Sequence, residues 1–430
     1  MAAPVPRPDL HHAALRVHRR RHRRHLRRDR GGSGGRMSGW EAWFAGQRAA
    51  REDAGLQRTL RPRAADDDVI DLANNDYLGL SGHPEVRRAA ADAALTWGAG
   101  AGASRLVTGT TTLHADLERE LAGFTGREAA LVFSTGYHAN LSAVTALADK
   151  QTLIVSDAHV HASLIDAARL SRAAIEVVPH NDVAAVRAAL AAAGDRRAIV
   201  LTESVFSVLG DAAPLTGLAA ACADHDALLV VDEAHGLGVV GDGGRGLVHA
   251  HGMAGHPHVV TTATLSKSLG AMGGAVLGSA ALIDHLTNRA RPFIFDTGLA
   301  PAPTAGAMAA LRLLRGRPGL PSRIHQRGAE LADRLGVRRS AGAVLSVPMP
   351  SPRAAVAAQA AALAAGVRVG CFRPPSVPDG ISRLRITTHT GLDDERWEHA
   401  VEVLARVVDD LGVSTGRAVH PVARAHGAVR

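Results

Sequence analysis

The chain has 430 residues, 46% of them apolar and only 3% aromatic, enough for a large core plus a smaller domain and too apolar for a disordered chain. No apolar run reaches the roughly 18 residues of a membrane span, and Cys222 and Cys371 form no C-x-x-C pair, which argues against a disulfide scaffold or zinc site and for a reducing cytoplasm. The formal charge of +8 resides in residues 1–36, where 11 Arg face only Asp9 and Asp29; this local net of +9 leaves −1 for the rest, so no nucleic-acid surface is expected on the folded body.

In chain order, residues 1–36 are expected to be a disordered Arg-, His- and Gly-rich tail without the apolar core of a targeting peptide. We read it as a non-functional extension, with Met37 as an alternative start and a polyanion-binding arm as the competing reading. Residues 37–75 read as an N-terminal helix and arm, with Trp40, Trp43, Phe44 and Leu56 on an amphipathic helix over 40–60. Across 76–300, short apolar runs alternate with Ala-rich helical stretches such as Val183–Ala193. The expected strands are Ala129–Phe133, Thr152–Val155, Ile175–Val178, Ala198–Thr202, Leu228–Val231, Val259–Thr262 and Gly274–Leu277. This alternation predicts an α/β large domain whose mostly parallel sheet is covered on both faces, with ligands at the carboxyl ends of the strands. A Pro-containing break over Arg291–Pro303 leads into a smaller α+β C-terminal domain across 301–413. It holds strands Val344–Val347 and Ser382–Thr387 and a helix over Ala354–Ala365, and residues 414–430 read as a flexible end.

Three clusters carry chemistry. In the first, Phe133-Ser134-Thr135-Gly136-Tyr137-His138 joins a strand to the helix Ala139–Ala148. Such a turn presents backbone N–H groups that can bind phosphate, although an ordinary connection looks the same. In the second, the strand before Asp232-Glu233-Ala234-His235 ends in an acidic pair. Asp-Glu-Ala-His also occurs in helicases, but their phosphate loop needs G-x-x-x-x-G-K-[ST]. Neither Lys150, preceded by Asp149, nor Lys267, preceded by Ser266, stands in one. These are the only two lysines among 49 basic residues. Lys150 lies in a polar turn after a helix. Lys267 lies in the third cluster, Thr264-Leu265-Ser266-Lys267-Ser268-Leu269-Gly270, just after a strand, where desolvation can make an amine reactive. Pyridoxal 5′-phosphate requires an amine for its aldehyde, a carboxylate for its ring nitrogen and a phosphate cup. Lys267 as a Schiff base, Asp232, and the Gly136 turn with Thr264 are the expected three.

From Trp40 to Val413 the chain resembles the α-oxoamine synthases, pyridoxal-phosphate enzymes of the aspartate-aminotransferase fold (fold type I). The resemblance rests on Asn75-Asp76-Tyr77-Leu78-Gly79-Leu80, Gly100–Gly109, His159–Asp166, Thr202–Asp211, Asp232–Gly236, Thr264–Gly270 and Arg383–Thr387. It implies that His161 stacks on the cofactor ring and positions substrate, that Ser207 and His235 hydrogen-bond the cofactor's phenolic oxygen, and that Gly136 and Tyr137 flank the cofactor. Thr264 would bind the phosphate. Arg385, with Asn75 nearby, would grip the amino-acid carboxylate through a fork that lysine lacks, and Arg58 would contact substrate from the N-terminal side.

The stretch Phe372-Arg373-Pro374-Pro375-Ser376-Val377-Pro378 is similar to the branch that condenses L-alanine with a pimeloyl thioester of CoA or acyl carrier protein. Ser376 replaces the usual Thr of that branch, and Leu209 stands where many relatives have Asp. Branches that use glycine with acetyl- or succinyl-CoA are the alternatives. The resemblance further implies a decarboxylative condensation with Lys267 as general base, and a homodimer with sites at the subunit interface.

Overall fold

The computed structural model of the protein describes residues 38–410, so the expected tail over 1–36 and the expected flexible end over 414–430 lie outside the described residues. The chain divides into two compact units, one up to Glu52 and one from Asp53. All but the last residue of the helix Gly39–Asp53 falls in the first; the helix has no buried side chain, and Trp40, Trp43 and Phe44 cluster on it, with Trp43 and Phe44 ring centres 5.2 Å apart. The helix is shorter than the expected 40–60. It stops before Gly55, whose φ of +67° is a left-handed conformation suited to glycine just past a helix end. Leu56 therefore lies beyond it.

The second unit contains two sheets. Its strands are β1 (Ile70–Leu72), β2 (Ala129–Phe133), β3 (Leu153–Asp157), β4 (Ala174–Val178), β5 (Ala198–Glu203), β6 (Leu228–Asp232), β7 (Val259–Thr264), β8 (Gly274–Gly278), β9 (Val344–Pro348), β10 (Val367–Phe372) and β11 (Arg383–Thr387). The seven-stranded sheet runs β2-β8-β7-β6-β5-β3-β4. Strands β3 to β7 pair in parallel, while β8 is antiparallel to both its neighbours. The parallel pairs need crossover connections, which the helices Ala162–Ser171, Val183–Ala193 and Leu215–Asp224 supply.

The apolar runs bury both faces because neighbouring side chains on a strand point opposite ways. Val155, Val200, Leu229 and Val231 pack with Leu190 and Leu218 on one face. Ile154, Ile199, Leu201 and Val230 pack with Ala139, Ala143 and Leu164 on the other. Polar residues enter where the strands end. Asp157, Glu203, Asp232 and Thr264 are the last residues of β3, β5, β6 and β7, and Glu203 is in register with Asp232. This buried polar rim sits where a mostly parallel sheet gathers its ligands.

The four-stranded sheet runs β1-β10-β11-β9, parallel between β1 and β10 and antiparallel elsewhere. Leu345, Val347, Val367, Val369, Leu384 and Ile386 pack there against the helices that carry Leu331 and Trp397. Its edge strand β1 comes from the stretch read as the N-terminal arm. The helix Pro301–Gly316, just past the expected boundary at 300, places Ala307, Leu311 and Leu314 in the same core as Leu117, Leu265 and Leu277.

Candidate active site

Lys267 lies in the turn after β7, with its Nζ 2.8 Å from His235 Nε2. His235 Nδ1 is 2.7 Å from the Tyr77 hydroxyl, which donates to Asn75 Oδ1 at 3.1 Å. The same oxygen accepts from Arg385 Nη1 at 3.0 Å, and Arg385 Nε donates to the Ser207 carbonyl at 2.7 Å. One chain of polar contacts thus joins the four-stranded sheet to the lysine. Burial pulls the Lys267 amine down to about 8; Asp232 and Glu203 oppose that shift and Arg385 assists it. Burial, then the Lys267 and Arg385 charges, hold His235 well below the usual histidine range, so its ring is neutral.

Asp232 is held from two sides. Its Oδ2 accepts from Asn140 Nδ2 at 2.7 Å and its Oδ1 from the Ala234 N–H at 2.9 Å. Asn140 is itself fixed: its Oδ1 accepts from Thr262 Oγ1 at 2.6 Å, and its Nδ2 also donates to Ser163 Oγ at 2.8 Å. Ser163 Oγ lies 2.8 Å from His161 Nδ1, so Asp232 and His161 belong to one network. His161 caps the helix Ala162–Ser171, and its proton affinity is lowered by burial against the raising effect of Asp232.

A turn joins β2 to the helix Gly136–Leu147, which begins three residues before the expected Ala139. Thr135 Oγ1 accepts from the His138 N–H at 3.0 Å and caps the helix Gly136–Leu147. A Cβ on Gly136 would lie 3.0 Å from Thr264 Cβ and 3.1 Å from Thr264 Oγ1, so the missing side chain lets the turn and Thr264 approach. Thr264 Oγ1 is 2.7 Å from Ser266 Oγ. The Tyr137 ring points elsewhere, its hydroxyl donating to Asp166 Oδ2 at 2.5 Å, which leaves its backbone as the part facing the turn.

Arg58 and Ser376 meet each other, Arg58 Nη2 donating to Ser376 Oγ at 3.2 Å. Phe372 closes β10 four residues before Ser376, and the Arg385 guanidinium lies over its ring at 5.3 Å. Lys150, the other lysine, is exposed in the turn after its helix. Sequence reading missed Asn140, Ser163 and Glu203 as site residues. Glu203 carried a usable signal, an acid closing the apolar run Ala198–Thr202 just as Asp232 closes β6. Its Oε2 accepts from the Ser207 N–H at 3.0 Å, and among the described residues its buried Oε1 has no partner. Burial, then the Asp232 charge, lifts this carboxyl to about 8.

A desolvated amine, a buried carboxylate held by two donors, and a glycine turn beside a threonine hydroxyl are the donor set that fits pyridoxal phosphate. Fold and site together define a class, an enzyme of fold type I with the aspartate-aminotransferase architecture. Residues 67–404 match the family of class I and II aminotransferases. The chain is 55% identical over 377 residues to the 8-amino-7-oxononanoate synthase of Mycobacterium marinum, covering 87% of this chain and 96% of that protein. An SPT structure solved with PLP superposes with a TM-score of 0.79 at 28% identity, covering 86% of this chain and 98% of that one. The 8-amino-7-oxononanoate synthase structure from Francisella tularensis gives a TM-score of 0.68 at 27% identity, covering 80% and 99%. The chain belongs to the class I and II aminotransferase family and, within it, to the group of the 8-amino-7-oxononanoate synthases.

Proposed function

We propose that this protein is a pyridoxal-phosphate-dependent 8-amino-7-oxononanoate synthase of biotin biosynthesis. It joins L-alanine to the pimeloyl carbon of a CoA or acyl-carrier-protein thioester, releasing the thiol and CO2. The observation that carries the reading is the 55% identity with the M. marinum synthase across nearly its whole length, supported by a buried amine in a polar site at the strand ends.

When bound, the cofactor supplies an aldehyde for the amino-acid nitrogen and a ring that takes up the electrons left as the Cα–H bond breaks. Lys267 holds the cofactor and, once displaced, takes the alanine Cα proton; with its affinity near 8 the amine is partly free at neutral pH. Asp232, aimed by Asn140 and Ala234, keeps the ring nitrogen protonated. His161 would lie against the ring, and Ser207 and His235 would serve its phenolic oxygen. The Gly136–Tyr137 backbone and Thr264 take the phosphate. Arg385 and Asn75 hold the alanine carboxylate, and Arg58 with Ser376 lines the approach of the acyl thioester. The enzyme works as a homodimer in the cytoplasm.

The test is the visible absorbance of the purified protein with pyridoxal phosphate, titrated with alanine, glycine and serine. Alanine should produce the strongest spectral response and the condensation product with pimeloyl thioester, and Lys267→Ala should lose both the starting band and turnover. A response to glycine alone would overturn the choice of substrate. A band retained in Lys267→Ala would overturn the assignment of the lysine.

A further inference from the structure

Two segments approach the candidate cofactor pocket from neighbouring strand ends. β3 ends at Asp157 and runs within four residues to His161. β5 ends at Glu203 and enters a tight turn that carries Ser207, closed by the Phe206 N–H donating to the Asp211 carbonyl and the Gly210 N–H to the Phe206 carbonyl, both at 2.9 Å. His180, just beyond β4, lies between them. Its Nδ1 is 3.0 Å from Asp157 Oδ1 and its Nε2 is 3.0 Å from Asp211 Oδ2. The His159 ring stacks on it at 4.3 Å, and Phe206 meets it edge-on at 4.4 Å. Asn181 repeats the bridge: its N–H donates to Asp157 Oδ2 at 2.7 Å and its Nδ2 to Asp211 Oδ2 at 3.2 Å.

Ionised carboxylates only accept, so a ring bonded to two of them brings two N–H groups and carries a positive charge. Burial alone would lower the proton affinity of His180; Asp157 and Asp211 outweigh it and lift the ring to about 9. Charged or titratable groups around this cluster include His159, Glu203, which interacts with Asp157, Arg338 at 4.0 Å from Asp211 Oδ2, and Asp379, which acts on His159.

We propose that His180 is a positioning residue that ties the segment bearing His161 to the turn bearing Ser207, fixing the spacing of the two across the cofactor pocket. The proposal rests on the reading that this pocket holds pyridoxal phosphate. The tie extends to the amino-acid subsite, because the Ser207 carbonyl accepts from Arg385 Nε. Loss of the charged bridge therefore frees the Ser207 turn to drift, weakening the hydrogen bond to the cofactor's phenolic oxygen and the seating of Arg385.

The experiment uses the pyridoxal-phosphate-loaded enzyme and two variants, His180→Gln, which removes the charge and puts a carbonyl oxygen in place of one of the two donor nitrogens, and Asp211→Asn, which leaves the bond from His180 to Asp157. Each is measured for the pH midpoint of the cofactor's visible absorbance change, for alanine KM and kcat, and for melting temperature. A donor that stabilises the ionised phenolic oxygen lowers that midpoint. Both variants should raise it, His180→Gln by about one unit, the scale of one hydrogen bond to a charged group. Alanine KM should rise roughly fivefold or more. Variants that melt lower but keep the wild-type midpoint and KM would make His180 a purely structural residue and overturn the proposal. Absence of a visible band in the wild-type protein would instead overturn the cofactor reading beneath it.

Discussion

Lys267 and His235 stand 2.8 Å apart, Nζ to Nε2, and the neutral state of the histidine gives that contact a direction. A protonated Lys267 donates to Nε2, which places the imidazole hydrogen on Nδ1, facing the Tyr77 oxygen. The Tyr77 hydroxyl then donates onward to Asn75 Oδ1, which also accepts from Arg385. Each contact along this buried chain thus pairs one donor with one acceptor. The lysine charge is nonetheless expensive to bury, which is why its proton affinity falls from 10.5 to about 8.

That shift sets a pH dependence for the cofactor-free protein. Between about pH 8 and 10.5 the unfolded chain holds a proton on Lys267 that the folded chain has released, so this group makes stability rise with pH across that window. Below pH 8 both states are charged and the full burial cost weighs on the fold. Lys267→Met should therefore melt higher than wild type at pH 7, with the gap closing towards pH 10.5. Melting curves at four or five pH values check this; a gap that widens with pH would contradict it.

Two glycines make a steric prediction. A Cβ on Gly274 would lie 2.5 Å from the Gly136 N and Cα and from the Thr135 carbonyl oxygen, all backbone atoms that cannot step aside. Gly274→Ala should destabilise the protein by about 1–3 kcal/mol, the usual cost of overpacking. On Gly136 the nearest atoms belong to the Thr264 side chain, at 3.0 and 3.1 Å. Gly136→Ala should leave melting nearly unchanged and weaken pyridoxal phosphate binding by pushing Thr264 back. Denaturant unfolding and cofactor titration of the two variants separate these outcomes.

The contrast between the sheets explains what the sequence made legible. All seven strands of the larger sheet were predicted within two residues at each end, because the inner strands are buried runs of apolar and β-branched residues and the mostly exposed edge strand β4 still reads as Ile, Val and Val around Glu176. β1 and β10 went unseen. β1 is only three residues long, and β10 interleaves Arg368 and Gly370 with its valines, so neither carries a local signal apart from its partner strand. The site shows the same division. Lys267 stood out by rarity and Asp232 by closing an apolar strand. Asn140, in the helix Gly136–Leu147 among Ala, Leu and Ser, looks like any helical polar residue until the fold brings Asp232, Ser163 and Thr262 around it.

Asn140 therefore offers a test that sequence would not have suggested. Its amide satisfies Asp232 and Ser163 while its oxygen takes the Thr262 proton. Asn140→Ala leaves buried polar groups unpaired, at about 1–3 kcal/mol for such a group. It also frees the Asp232 carboxylate, which in the proposed function meets the cofactor's ring nitrogen. Pyridoxal phosphate affinity should fall roughly tenfold or more, measured by the visible band against added cofactor. Unchanged affinity would mean that the Ala234 N–H alone suffices to aim Asp232.

Arg385 is the residue through which the smaller sheet reaches the site. β11 holds it between Gly370 on β10 and Ser346 on β9, and its guanidinium spans Asn75, the Ser207 carbonyl and the Phe372 ring. Three contacts with different partners fix a planar fork, and a fork is what a carboxylate accepts in bidentate fashion. Arg385→Lys keeps a positive charge and loses that geometry: one ammonium cannot reach Asn75 and the Ser207 carbonyl while facing a substrate carboxylate. Alanine KM should rise by about tenfold or more, with the thioester KM little changed, because the acyl donor carries no carboxylate to this position. Steady-state kinetics with each substrate varied in turn decide the matter, and an equal rise in both KM values would show that Arg385 supports the shape of the site without gripping the amino acid.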